Sequence, residues 1–151
     1  LVRNGIKFVL GSGNKKVSMI YVKDLVDAIL SVIDNKKAFN KTFNVCDGFI
    51  YSWNDIYNTA EKAVGRKCKR IRLPFFIPVT LGFINSLLEK IIRRPFLLNQ
   101  QKLKEMKEDF QLIDNKKIKD ELNFLPKFNL KEGFKNTFMW YVENNWIKRL
   151  N

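Results

Sequence analysis

No histidine occurs among the 151 residues. That removes the usual base of a Ser-His-Asp triad, the commonest metal ligand and the side chain that most readily changes charge near neutral pH. The two cysteines, Cys46 and Cys68, are too few and too far apart for a zinc cluster or a Cys-x-x-Cys redox pair, so they read as reduced thiols of a cytoplasmic protein. A run of about 18–20 apolar residues, as a spanning helix needs, is also missing. The uncharged stretch over residues 73–88 falls short and is interrupted by Pro74 and Pro78, so no membrane span is expected. Repeats, low-complexity tracts and Ser/Gly linkers are absent too.

Acidic side chains are outnumbered, 15 Asp and Glu against 28 Lys and Arg, for a net charge of +13. Such an excess suits a nucleic-acid surface, an anionic membrane or a phosphorylated ligand. The lysines are scattered rather than gathered in one run, and Asn, Ile and Phe are abundant beside them, which favours a compositional bias. A hydrophobic content of 46% with 28% charged residues fits one domain with a core that needs neither disulfide nor metal. The chain opens on Leu1 without an initiator Met, and this leads us to expect a fragment of something longer.

Taken in order, Ile6-Lys7-Phe8-Val9-Leu10 predicts a strand and Gly11-Ser12-Gly13-Asn14 a turn out of it. Residues 17–22 predict a second strand, running directly into a helix over 23–35. Val22, Leu25, Val26, Ile29, Leu30 and Ile33 recur on one face of that helix, with Asp24 placed to cap it. Residues 42–46 predict a strand buried on both faces, as in a parallel sheet covered by helices. Ser52 and Asp55 predict a capping box for a helix with an inner stripe of Ile56, Ala60, Ala63 and Val64, stopped by Gly65. Residues 69–73 alternate charged and apolar side chains, a half-exposed strand ended by Pro74. Leu81, Ile84, Leu87, Leu88, Ile91 and Ile92 predict a helix lining a cleft or core, closed by Pro95, with a helix lying on a membrane surface as the other reading. Asn99 and Asp114 predict caps for helices over 99–107 and 114–122. Asn129 and Glu132 predict a second capping box, opening a last helix whose Phe134, Phe138, Tyr141, Val142 and Trp146 form an aromatic core face.

The tests for chemistry come back negative. Lys16 stands where a dinucleotide fingerprint needs its third glycine, and no tyrosine is followed four residues later by lysine. Asp24, Asp27, Asp47, Asp55 and Glu61 fall at helix starts or on solvent faces, which caps and solvation explain. No catalytic, cofactor or metal ligand is assigned.

The order of the parts nevertheless resembles the C-terminal half of the NAD(P)-dependent epimerase/dehydratase family, the extended or atypical short-chain dehydrogenases/reductases. The resemblance rests on Gly11-Ser12-Gly13-Asn14 before Ser18-Met19-Ile20-Tyr21-Val22-Lys23-Asp24-Leu25, and on Lys41-Thr42-Phe43-Asn44-Val45-Cys46-Asp47-Gly48 before Ser52-Trp53. It continues through Gly65-Arg66, Leu73-Pro74, Asp114 and Glu121-Leu122-Asn123-Phe124-Leu125-Pro126, then Leu130-Lys131-Glu132-Gly133-Phe134, Thr137, Trp140-Tyr141 and Asn145-Trp146-Ile147. It implies a helix-rich α/β fold. Residues 1–50 would be the last strands and a helix of a Rossmann-type parallel sheet, and residues 51–151 a mostly helical substrate-binding subdomain.

The same resemblance implies an intact enzyme that uses NAD or NADP, with the cofactor loop and catalytic Tyr/Lys pair in an absent N-terminal part. This fragment alone would then be inactive and bind no cofactor. Its partner would be a small-molecule substrate, a sugar nucleotide among the candidates, with a homodimer open and no nucleic acid. Where sugar-nucleotide members place a diphosphate-binding arginine, this chain has Lys16-Val17-Ser18. Lys16 and Ser18 are therefore candidate substrate ligands, with Arg72, Arg93 and Arg94 as further anion ligands. The rival reading is a free-standing basic helical module that binds nucleic acid or anionic lipid.

Overall fold

A computed structural model describes residues 2–10, 12–74, 76–80, 82, 84–85, 108 and 110–147. The β-branched and aromatic run at the start forms β1 (Ile6–Leu10), which pairs in parallel with β4 (Lys69–Leu73), Ile6 opposite Lys69 and Leu10 opposite Leu73. Val9 is buried beneath this ribbon, while Arg70 and Arg72 alternate outward from β4. A second, three-stranded sheet has β2 (Lys16–Val17) at its centre, antiparallel to β3 (Tyr51–Ser52) and parallel to β5 (Phe110–Gln111). The result is the α/β architecture expected, with parallel and mixed pairing in two small sheets.

Helices carry the rest. α1 (Val22–Val32) follows β2, α2 (Trp53–Val64) follows β3, and α3 (Lys116–Leu122) and α4 (Leu130–Glu143) close the chain. α2 opens with the capping box read from sequence: the Asp55 amide donates to Ser52 Oγ, and the Ser52 amide donates back to the Asp55 carboxylate. Gly65 ends it in the left-handed conformation. α4 has the same reciprocal box between Asn129 and Glu132, and it packs on α2. Asp114 accepts the Lys116 amide at 2.8 Å, so it serves the start of α3 one residue ahead of the cap position held by Asn115. Among the described residues a buried cluster joins α1 to α3 through Ala28, Ile118 and Phe124, with Phe43, Val45 and Leu122 packed against it.

Four expectations need correction. The second strand stops at Val17; Ser18 and Met19 still make single backbone bonds, to the Gln111 carbonyl and from the Asp47 amide, but no ladder continues through residues 18–21. Residues 42–46 form no strand and pair with none among the described residues. Asp24 does not cap α1, since the cap position is Tyr21 and makes no side-chain bond there; Asp24 is wholly buried and reaches 127–128 instead. The aromatic face of α4 is not all core, for Trp140, Tyr141 and Trp146 stack on one another at its exposed end. The helices expected at 81–92 and 99–107 fall largely or wholly outside the described residues, although 76–80, 82, 84 and 85 are helical.

Candidate functional site

The segment leaving β2 decides where a ligand could sit. Ser18 fixes its start: its hydroxyl accepts the Ile113 amide at 3.2 Å and donates to the Ile113 carbonyl at 3.3 Å. The Asp47 amide then donates to the Met19 carbonyl at 2.7 Å, so the strand-like residues 18–19 are pinned from both sides. Tyr21 follows, edge-on to Phe128 with ring centroids 4.9 Å apart. Its ring lies so close to α4 that a methyl group on Gly133 would stand 3.2 Å from Tyr21 Cδ2, which is why a residue without a side chain occupies that turn.

Between this segment and the start of α4 opens a cavity of about 380 Å³, lined by Met19, Tyr21, Asp47, Phe128, Leu130 and Thr137. Its size and mostly apolar wall with a few polar groups are those of a small-molecule pocket. Asp47 supplies the polar floor. Its carboxylate is buried and accepts the Phe49 amide at 3.0 Å and the Tyr51 hydroxyl at 2.6 Å. Tyr51 in turn accepts the Leu130 amide at 3.4 Å. Burial first, and then the bond to Asp47, push the Tyr51 phenol well above its ordinary range, so it keeps its proton throughout neutral pH. A tyrosine whose proton is committed to a carboxylate braces that carboxylate rather than standing as a poised acid.

Of the sequence-assigned anion ligands, Lys16 and Arg72 lie in different sheets. Lys16 stands at the centre of the three-stranded sheet opposite Ser52 and Phe110, near enough to Asp55 to help hold that carboxyl below its usual range, although the Ser52 hydroxyl contributes most. Ser18 spends its donor on Ile113. Arg72 lies exposed on β4, opposite Val9 in the other sheet. Arg93 and Arg94 lie outside the described residues. Asp47 was missed as a pocket residue, and Tyr51 as the hydroxyl that braces it. The available signal was the Asp-Gly turn with tyrosine following, which reads as the end of a strand until the fold brings α4 over it.

The glycine turn does not fit a dinucleotide. It leads into a strand rather than a helix, so it offers no helix N-terminus to a pyrophosphate. The Ser12 carbonyl is taken by Arg70 at 2.7 Å and Asn54 at 3.3 Å. Gly13, at φ +77°, is pressed so tightly that an added methyl group would lie 2.6 Å from Asn54 Oδ1. Among the described residues no three His, Cys, Asp or Glu side chains gather as a metal would require, and no helix is long and apolar enough to cross a membrane.

With this geometry in view, comparison with known proteins is informative. No family profile matches the chain. The chain is similar to the UDP-glucose 4-epimerase of Vibrio cholerae, 26% identical over 146 residues, covering 96% of this chain and 40% of that protein. Among solved structures, an epimerase of Methanothermobacter thermautotrophicus superposes with a TM-score of 0.71 at 14% identity, over 96% of this chain and 35% of that one. The fold is shared. A UDP-glucuronic acid 4-epimerase of Bacillus cereus, solved with UDP-glucuronic acid and NAD, gives 0.66 at 14% identity over 95% of this chain and 38% of that one. The chain therefore spans about two fifths of the curated relative it matches. Its fold is that of the C-terminal part of such Rossmann-type epimerase structures.

Proposed function

We propose that the chain is the substrate-binding portion of an NAD(P)-dependent nucleotide-sugar epimerase or dehydratase, or of a reductase built alike. The observation that carries this reading is co-linearity: 96% of the chain aligns, without loss of order, to two fifths of an epimerase. The shared fold supports it, and so does the failure of the glycine turn to fit a dinucleotide, which leaves cofactor binding to the other part of the enzyme. The proposed boundary falls near residue 50, with residues 1–50 completing a Rossmann-type sheet and residues 51–151 forming the substrate side. The chain alone is proposed to be inactive and without tight cofactor affinity, in a cytoplasmic enzyme whose thiols Cys46 and Cys68 stay reduced.

Within this reading Lys16 and Arg72 meet the anionic part of the substrate, Arg93 and Arg94 belong to the same group, and Ser18 positions the strand that carries Lys16. The test has two arms. Reading the coding DNA in frame upstream of Leu1 is expected to reveal a Gly-x-x-Gly-x-x-Gly loop after a strand, then a Tyr-x-x-x-Lys pair; a start codon directly before Leu1 would hand the chain to the basic binding-module reading. Calorimetric titration of NAD into the 151-residue chain is expected to show no binding tighter than about 1 mM, and micromolar affinity would overturn the division of labour.

A further inference from the structure

We propose that the helical segment 76–85 lies on an anionic lipid surface, its apolar arc immersed and the basic residues before it held against the headgroups. The proposal stands on its own residues and is independent of the functional reading above. Its first observation is a helix that turns an uncharged side to solvent. Phe76, Val79 and Ile84 are 66%, 36% and 51% exposed. At 3.6 residues per turn they share with Thr80 one arc of about 140°, while Pro78 and Gly82 on the opposite side are buried. Thr80 adds no polarity to that arc, because its hydroxyl turns back on the Phe76 and Ile77 carbonyls at 3.1 and 2.9 Å. No charged residue occurs over 73–88, although 28% of the chain is charged. A helix that needed only to face water would carry charge on its outer side.

The second observation is the run that leads into this helix. Arg66, Lys67, Lys69, Arg70 and Arg72 fall within seven positions with no acidic residue among them, the densest basic stretch in a chain whose lysines are otherwise spread out. Arg66 and Arg70 bond the carbonyls of Arg3 and Ser12 at 3.0 and 2.7 Å. Lys67 and Lys69 are exposed and make no ion pair among the described residues. Lys69 is seven residues from Phe76, so at most about 25 Å separates them and both can meet one flat surface.

The occupant follows from the pairing. Nucleic acid would use the basic run and leave the apolar arc in water; a second copy of this chain would bring its own positive charge against the run. A bilayer with anionic headgroups uses both features at once, apolar area in the interface and lysines at the phosphates, and stable attachment takes two such signals. The attachment is to one leaflet, because Pro74 and Pro78 interrupt an apolar stretch too short to span.

The test floats the 151-residue chain with vesicles of phosphatidylcholine containing about 30% phosphatidylglycerol, beside vesicles of phosphatidylcholine alone. Binding at least about tenfold tighter to the anionic vesicles is expected, with amide exchange over 76–85 slowed on them. Phe76→Asp and Val79→Asp, both at exposed positions, should leave the melting temperature unchanged and weaken binding at least about tenfold. Lys67→Ala and Lys69→Ala should each weaken it about fivefold, and the loss should shrink as salt is raised. The longest polypeptide read in frame through Leu1 should give the same ratios. Failure to float, unchanged exchange over 76–85, or binding indifferent to Phe76→Asp would overturn the proposal. Loss of binding in the longer polypeptide would overturn it by showing the arc covered. A lipid-free dimer broken by Phe76→Asp would give the arc to a second copy, and tighter binding to duplex DNA than to vesicles would give the basic run to nucleic acid; either result overturns it.

Discussion

Asp24 offers the sharpest test of how this chain is held together. Its carboxylate is fully buried and accepts two backbone amides from the far end of the sequence, Lys127 at 2.9 Å and Phe128 at 3.0 Å. Replacement by alanine removes both bonds and strands two amide donors beneath α1. A hydrogen bond to a charged group contributes about 1.5–3 kcal/mol, and each buried donor left unpaired costs a similar amount, so Asp24→Ala should destabilise by about 3–5 kcal/mol. For a chain of this length that lowers the melting temperature by roughly 6–20 °C. Asp24→Asn keeps one acceptor oxygen but turns an NH₂ toward the other amide, and should cost about 2–3 kcal/mol. The control is Asp27→Asn, whose ion pair with Lys127 at 2.7 Å is solvent-exposed and screened, so its loss should cost far less than Asp24→Ala. Urea denaturation gives the free energies, and amide exchange reads Lys127 and Phe128 directly. The reasoning fails if Asp24→Ala costs less than about 1 kcal/mol, or if those two amides stay as protected as before.

Gly13→Ala combines a left-handed backbone with contacts of 2.6 Å to Asn54 Oδ1 and 2.8 Å to Val9 Cγ1, and should cost at least about 2 kcal/mol by thermal melting. Gly65→Ala, with open space around the added methyl group, should cost only about 1 kcal/mol. Burial pushes the Glu61 carboxyl up, but Lys7 at 2.9 Å and the Cys68 amide at 2.8 Å outweigh it and leave it lowered. Its contribution is therefore complete above the ordinary carboxylate value of 4.5 and lost as pH falls through the lower folded value; an acid titration of stability should flatten in that window in Glu61→Gln. Tyr51 and Tyr57 are both raised by burial, so spectrophotometric titration should find these two ionising above the ordinary tyrosine value of 10, with stability falling once pH rises past that value.

What could be read from sequence was what four or five neighbouring residues encode together. The boxes at Ser52–Asp55 and Asn129–Glu132 and the stop at Gly65 appear as expected because each settles its own hydrogen bonds, and the alternation of Lys69–Leu73 appears because it is written in neighbouring side chains. α1 was legible as a helix but not in its orientation, since periodicity says which side is apolar and not what lies against it. Asp24 looked like a cap because its partners stand about a hundred residues away. Residues 42–46 carry a strand's side-chain pattern without a strand's neighbours, and only the second half of that statement needed coordinates. For the candidate site, Lys16 and Arg72 could be picked by charge, yet their separation between two sheets is a matter of topology. Asp47 and Tyr51 acquire a role only when α4 folds over them.

The parallel pairing of β1 with β4 has a kinetic side. Ile6 must wait for Lys69, so roughly 60 residues are made before this ribbon can close, a matter of about 3–12 s at ordinary rates of synthesis. α1 and α2 can form within that interval from local bonds alone, each finished before β1 has anything to pair with. β1 is therefore made well before its partner and stays unpaired through that interval, and a ribosome paused before Lys69 would hold it bare.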